Sequence, residues 1–191
     1  LRLLVKKLKS ILEVTYSDPH EQLIADCKLG NRQAQFKLYK LYSKAMYNTA
    51  LRIVIDADEA ADVLQEAFID AFKRLDSFRQ ESTFGLWMKQ IVVNKSLSAL
   101  RKRKVEFESL SGADDIPTDD LEEEFSSQFE VERVRKAINQ LADGYRVVLS
   151  LYLLEGYDHE EIAHILKINE NTSRSQFSRA KKKLLDILKY N

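Results

Sequence analysis

The sequence predicts an all-α chain, on three observations. Glycine and proline are scarce, 5 and 2 in 191 residues, too few turn formers for a many-stranded sheet. Apolar residues recur three and four positions apart over long stretches, the pattern of one buried helix face. Those stretches are bracketed by side chains that cap helix ends.

Taken in order, residues 1–16 place Leu1, Leu4, Leu8, Ile11 and Leu12 in helical register, with Arg2, Lys6, Lys7 and Lys9 between them. Such a stretch can touch a membrane surface, but the expected role of residues 1–17 is a packing extension. Asp18-Pro19-His20-Glu21 reads as a helix start, with a cap, a proline at the first position and an acid in the first turn. Leu23, Ile24 and Cys27 form its apolar side and Gly30 ends it. A longer helix follows over residues 33–55, carrying Phe36, Tyr39, Tyr42, Met46, Ala50 and Ile53.

Asp56 with Glu59 starts the next helix. Its stripe over residues 60–75, Ala60/Ala61, Leu64, Ala67/Phe68, Ala71/Phe72 and Leu75, is the clearest amphipathic pattern in the chain. The opposite face offers Asp58, Glu59, Asp62, Gln65, Glu66 and Asp70. Residues 76–82 read as a loop. Thr83 caps a helix running to about residue 104 and ending in Arg101-Lys102-Arg103-Lys104. Residues 107–128 are rich in Ser, Asp and Glu, with Gly112 and Pro117, and self-repulsion predicts an extended linker. Val131, Val134, Ile138 and Leu141 open a second, smaller helical domain. Gly144 breaks that helix, residues 145–155 form the next, and Gly156 caps it. The expected division is 1–105, a linker over 106–130, and 131–191.

The stretch 158–183, DHEEIAHILKINENTSRSQFSRAKKK, reads as a helix-turn-helix. Asp158 with Glu161 is a capping box. Ile162, Ile165 and Leu166 share a face, with small Ala163 where a second helix can cross closely. Lys167-Ile168-Asn169 is a tight turn in which Asn169 can cap the following helix. In that helix Ser173, Phe177, Ala180 and Leu184 follow the helical repeat inward. Arg174, Ser175, Ser178 and Arg179 are left outside near its start, the side chains that reach base edges and phosphates in a major groove. Lys181, Lys182 and Lys183 follow as backbone contacts. A solvated basic face is the bland alternative, and charge runs alone favour it. The length of the turn and the mixing of Arg with small hydroxyls favour DNA.

The formal net charge of zero conceals segregation. Residues 1–105 carry 19 Lys/Arg against 12 Asp/Glu, residues 106–132 carry 11 acids and no base, and residues 133–191 carry 11 bases against 7 acids. Two basic regions flank an acidic strip, a pattern suited to a polyanion at both ends. No apolar run approaches the roughly 20 residues needed to span a bilayer, and no signal peptide is evident. The single Cys27 excludes an intramolecular disulfide and fits a reducing, cytoplasmic setting. Cys27, His20, His159 and His164 show no metal-ligand spacing, and both later histidines are expected at the surface. No Gly-rich phosphate loop and no nucleophile paired with a base is present, so neither an enzyme, a cofactor nor a small-molecule substrate is expected.

These motifs together resemble the sigma factors of bacterial RNA polymerase, specifically the small extracytoplasmic-function type of the sigma-70 family. GYDHEEIAHILKINENTSRSQFSRAKKKL resembles that family's region 4, whose second helix reads the −35 promoter element. DEAADVLQEAFIDAFKRLDSF resembles the part of region 2 that grips the polymerase largest subunit, and STFGLWMKQIVVNKSLSALRKRK resembles the part that melts and reads the −10 element. The resemblance implies an all-α fold and two partners, bacterial core RNA polymerase and promoter DNA. Many relatives add a third partner, an anti-sigma factor. It implies polymerase contact through Asp62, Gln65 and Glu66. It implies −35 contact through Arg174, Ser175, Ser178, Arg179 and Lys182. Unpaired −10 bases need rings, amides and positive charge, and Phe78, Phe84, Asn94, Lys95, Arg101 and Arg103 supply that set. Trp87, at helical spacing with Phe84 and Ile91, is expected in the core. The loop over 78–83 is where relatives hold a flipped base. Two departures stand out: Ala142 where the family often has Pro, and Ser96-Leu97-Ser98 where an Asp is common. The rival reading is a stand-alone helix-turn-helix regulator acting as a dimer on palindromic duplex, with an RNA-binding module a distant third. A regulator has no use for the Asp62/Gln65/Glu66 face or the aromatic-basic segment.

Overall fold

The computed structural model describes residues 18–110 and 127–190, so the amphipathic stretch at 1–16 and the centre of the acidic linker lie outside the described residues. Every regular element among the described residues is helical. They are α1 (Glu21–Lys28), α2 (Arg32–Val54), α3 (Ala57–Lys73), a 3₁₀ turn (Leu75–Ser77), α4 (Phe84–Leu110), α5 (Ser127–Asn139), α6 (Asp143–Leu153), α7 (His159–Leu166) and α8 (Glu170–Tyr190).

Local chemistry sets most boundaries. Gly30 takes a left-handed φ of 79° after α1, and Asn31 then accepts from the amides of Gln33 and Ala34 to start α2. Asp56 accepts from Glu59 N at 2.8 Å to start α3. Thr83 Oγ1 accepts from Leu86 N at 3.2 Å to start α4. Asp18 behaves differently from its expected role. His20, at the N-cap of α1, makes no side-chain cap; one Asp18 oxygen accepts from His20 N at 2.8 Å and the other from Phe84 N at 2.6 Å, at the head of α4. The Phe84 pairing spans 66 residues, beyond the reach of any local capping rule. Gly144 also departs from expectation: it sits inside the first turn of α6, and the chain turns earlier, between Asn139 and Asp143. Helix α4 runs past the expected residue 104 to Leu110.

Helices α2, α3 and α4 pack against one another, with α1 laid on α2. Their core is Ile24, Leu38, Met46, Ala50, Ile53, Leu64, Ala67, Phe68, Phe84, Met88 and Val92. Small Ala60, Ala67 and Ala71, all 0% exposed, let α3 approach its neighbours closely. In the second half α6, α7 and α8 enclose Leu141, Leu149, Ile162 and Ala180, with Phe177 and Leu184 against them. Of the apolar residues that open this domain, Val131 and Val134 are exposed, while α5 turns Ile138 inward beside Ala137.

The two halves are docked. Val147, Val148, Leu151 and Ile162 of the second join the apolar core of the first. Arg146, 2% exposed, reaches from α6 to donate to Ile53 O at 3.0 Å, and also to Leu141 O and Asp143. Glu155, just past α6, is buried and accepts from Arg52 at 2.8 Å and Thr49 at 3.1 Å, with Lys89 Nζ 3.4 Å away. Lys89 donates to the Glu155 main-chain oxygen as well. A buried carboxylate is tolerable only when so many donors meet it.

Candidate nucleic-acid interface

Three surfaces carry the residues that the sequence singles out. The first is the outer face of α3. Asp62, Gln65 and Glu66 are all exposed, and the buried stripe of Ala60, Val63, Leu64, Ala67 and Phe68 fixes their direction. One turn further along the same face stands Ile69, 46% exposed, which the sequence reading missed. An Ile one residue after a core Phe reads as core; only its position opposite the buried stripe reveals it as surface. The face is acidic at one end and apolar at the other, suited to a protein partner with basic and aliphatic side chains.

The second surface runs along α4. Asn94 is exposed and lines a cavity of about 340 Å³ with Trp87, Gln90, Ile91, Lys95, Ser98, Asp70 and Arg74. Of the six residues proposed for single-stranded DNA, the structure brings Asn94 and Lys95 together here and exposes Arg101 and Arg103 further along the helix. Phe78 and Phe84 are another matter. They are 3% and 0% exposed, packed on each other at 5.9 Å between ring centroids, with Tyr42 and Trp87 alongside. Neither ring can receive a base without dismantling the core. The ring that faces the cavity is Trp87, half-buried, with Phe78 and Phe84 packed behind it. The helical spacing that assigned Trp87 to the core is satisfied by one side of an indole large enough to present another outward.

Two of the cations on α4, Lys95 and Arg103, are already engaged. Lys95 Nζ lies 2.9 Å from Asp70 and 3.2 Å from Glu66, tying α4 to α3. The hydrogen bond from Lys95 holds the Asp70 carboxyl below its usual value, and the same bond pushes the Lys95 ammonium above its own. Arg103 donates to Val54 O and Glu59, each at 3.2 Å. A phosphate contact by either cation exchanges one anion for another.

The third surface is the helix-turn-helix. The capping box forms as read: Asp158 accepts from Glu161 N at 2.8 Å, and Glu161 accepts from Asp158 N at 2.9 Å. Lys167 closes α7 in the left-handed region, φ 58° and ψ 45°, and Asn169 accepts from Asn171 N to start α8. Ser173 and Ala180 are fully buried, while Arg174, Ser175, Ser178, Arg179 and Lys182 are exposed on the outer side. Arg174 is held by Glu170 one turn earlier. His159 is not the surface residue expected. It is buried, its Nδ1 2.9 Å from Ser173 Oγ, stacked on Tyr152 at 4.5 Å and edge-on to Phe177. That contact joins α7 to α8 and sets how α8 is presented.

The second and third surfaces meet. A cavity of about 280 Å³ is lined by Gln90, Val93 and Asn94 of α4 and by Tyr157, His164, Ile165 and Lys167 around α7. Burial, then the charges of Glu155 and Glu161, push the Tyr157 hydroxyl up to about 12, so it stays neutral. Among the described residues no group of three or more His, Cys, Asp or Glu is placed to hold a metal ion, and no helix is long and apolar enough to cross a membrane.

Comparison with known proteins places these surfaces in a family. Residues 38–106 match sigma-70 region 2 and residues 131–184 match sigma-70 region 4. The RNA polymerase sigma-H factor of Pseudomonas aeruginosa is 32% identical over 172 residues, covering 84% of this chain and 89% of that protein. The extracytoplasmic-function sigma factor SigW of Bacillus subtilis is 28% identical, covering 84% and 92%. Among solved structures, the RpoE sigma factor of Bartonella quintana in complex with the anti-sigma factor NepR matches at 26% identity and a TM-score of 0.61, covering 80% of this chain and 95% of that one. CnrH in complex with the cytosolic domain of CnrY shares the fold, with a TM-score of 0.58, 24% identity, and 91% and 99% coverage.

Proposed function

Because the chain belongs to the extracytoplasmic-function group of the sigma-70 family, we propose a division of labour among its surfaces in starting transcription. The protein is a transcription initiation factor that joins core RNA polymerase and directs it to promoters through their −10 and −35 elements. Its action is binding rather than bond chemistry. Residues 1–105 form the polymerase- and −10-binding unit, residues 131–191 the −35-binding unit, and the acidic residues 106–130 tether them. An anti-sigma factor, the partner in the Bartonella complex, is a further partner.

In this reading Asp62, Gln65, Glu66 and Ile69 meet the polymerase. Asn94 and Trp87, with Lys95, Arg101 and Arg103 around them, receive the opened −10 strand, and the loop over 78–83 governs which base is accepted. Trp87 takes the stacking part first given to Phe78 and Phe84, whose rings support the loop from beneath. Arg174, Ser175, Ser178, Arg179 and Lys182 read the −35 duplex. The observation that carries the reading is the outer face of α3: a rigid, exposed acidic-apolar face beside a DNA-reading helix serves a chain that must bind a protein and a promoter together.

The test is co-elution with purified bacterial core polymerase, beside the Gln65→Ala/Glu66→Ala double variant. We expect stoichiometric co-elution, lost in the variant, with helix content unchanged because both side chains are solvent-facing. Absence of co-elution by the folded wild-type protein would leave a stand-alone DNA-binding regulator.

A further inference from the structure

The loop over residues 78–83 has few ties of its own. Within it Gln80 adopts a left-handed φ of 58°, and Arg79 and Glu81 face solvent. Its shape is imposed at its ends. At the start, Phe78 anchors its ring among Phe84 and Trp87, and its carbonyl oxygen accepts from Lys28 Nζ at 3.2 Å. At the end, the Phe84 amide donates to Asp18 Oδ2 at 2.6 Å. The other Asp18 oxygen takes His20 N at 2.8 Å, so the carboxylate is itself held by its own turn.

Asp18 is 4% exposed, which keeps water from competing for these bonds. Its negative charge sits at the N-terminus of a long helix, where the unpaired amides favour an anion. Burial first, and then the Asp18 charge, raise the neighbouring Tyr42 hydroxyl, whose ring packs on Phe84. Thr83 caps one amide of the α4 head and Asp18 caps another. Both clamps, Asp18 and Lys28, come from the same short segment, which has no other part in the DNA surfaces described above.

Resting on the proposed function, in which the 78–83 loop governs −10 preference, we propose that Asp18 and Lys28 are positioning residues for base selection. The α1 segment braces both ends of the loop, and through them sets which base it accepts, without touching DNA. Displacements of about 1 Å at a recognition site can change rates about a hundredfold, so the brace acts on discrimination before it acts on stability.

The test uses holoenzyme assembled from core polymerase with wild-type, Lys28→Met, Lys28→Arg or Asp18→Ala protein. Each is titrated with −10 single-stranded oligonucleotides that differ only in the base at one position. We expect Lys28→Met and Asp18→Ala to narrow the ratio between best and worst base by roughly five- to tenfold. Lys28→Arg restores most of the ratio, while polymerase co-elution, helix content and affinity for a −35 duplex stay at wild-type level. Lys28 is exposed and outside the core, so its variant decides the question even where Asp18→Ala folds poorly. An unchanged ratio in Lys28→Met would overturn the proposal, as would a ratio that falls only in step with polymerase binding or melting temperature. Wild-type holoenzyme that shows no base preference would overturn the underlying functional reading, and the brace with it.

Discussion

His159 shows how much a single buried polar contact can set. Its ring lies between Tyr152 and Phe177 and meets Ser173 Oγ, so it fixes the angle between the two helices of the DNA-binding motif. Replacing Ser173 by Ala removes little more than the hydroxyl and strands the imidazole nitrogen, and should cost about 1–3 kcal/mol, read as a drop in the urea midpoint. An unchanged midpoint would mean that the nitrogen finds another partner. Lys95 offers a second residue-scale expectation, with a defined pH dependence. Asp70 is depressed, so its contribution is present above the ordinary carboxylate value of about 4 and is lost as pH falls through the depressed value. Lys95 is raised, so its contribution is complete below about 10.4 and is lost as pH rises through the raised value. The stability difference between wild-type and Lys95→Met protein should therefore be flat across neutral pH and shrink in acid, as urea titrations at pH 7 and pH 3 would register.

At the scale of the element, the caps were the most legible feature. Asp56 with Glu59 and Asp158 with Glu161 form where the residue types and spacing place them, because an N-cap is satisfied within four residues of itself. Asp158→Ala should cost about 1 kcal/mol and fray α7, visible as faster amide exchange at Glu161; unaltered exchange would count against the box. Asp18 marks where that logic stops. Its residue type announced a cap, and one of its oxygens does hold the His20 amide two residues on, but the other caps a helix that begins 66 residues away. The outward residues of α8 were legible for the same local reason as the caps, since Ser173 and Ala180 define the inward face by periodicity alone. Trp87 was not, because periodicity gives the direction of a side chain and not the distance at which its neighbours end.

For the whole molecule, the docked arrangement is the dominant fact. Glu155 is the place where the two halves are held, between Arg52, Thr49 and Lys89. Glu155→Ala should raise the radius of gyration in small-angle scattering. Affinity for a −35 duplex should stay unchanged, because the outer face of α8 is already exposed in the docked form. A radius that does not move would show that Arg146 and the shared apolar core suffice to hold the halves together.

From the sequence alone came the helices, most of the caps, the family and the exposed polar faces of α3 and α8. All of these rest on interactions between residues a few positions apart or on the period of a helix. Only the tertiary structure decided that Phe78 and Phe84 are core and Trp87 faces the cavity. It also decided that Asp18 serves α4 and that Glu155 and Arg146 join the two halves. Each of those depends on partners tens of residues away, and the chemistry of a lone Asp, Glu or Arg does not record which distant amide or carbonyl it will meet.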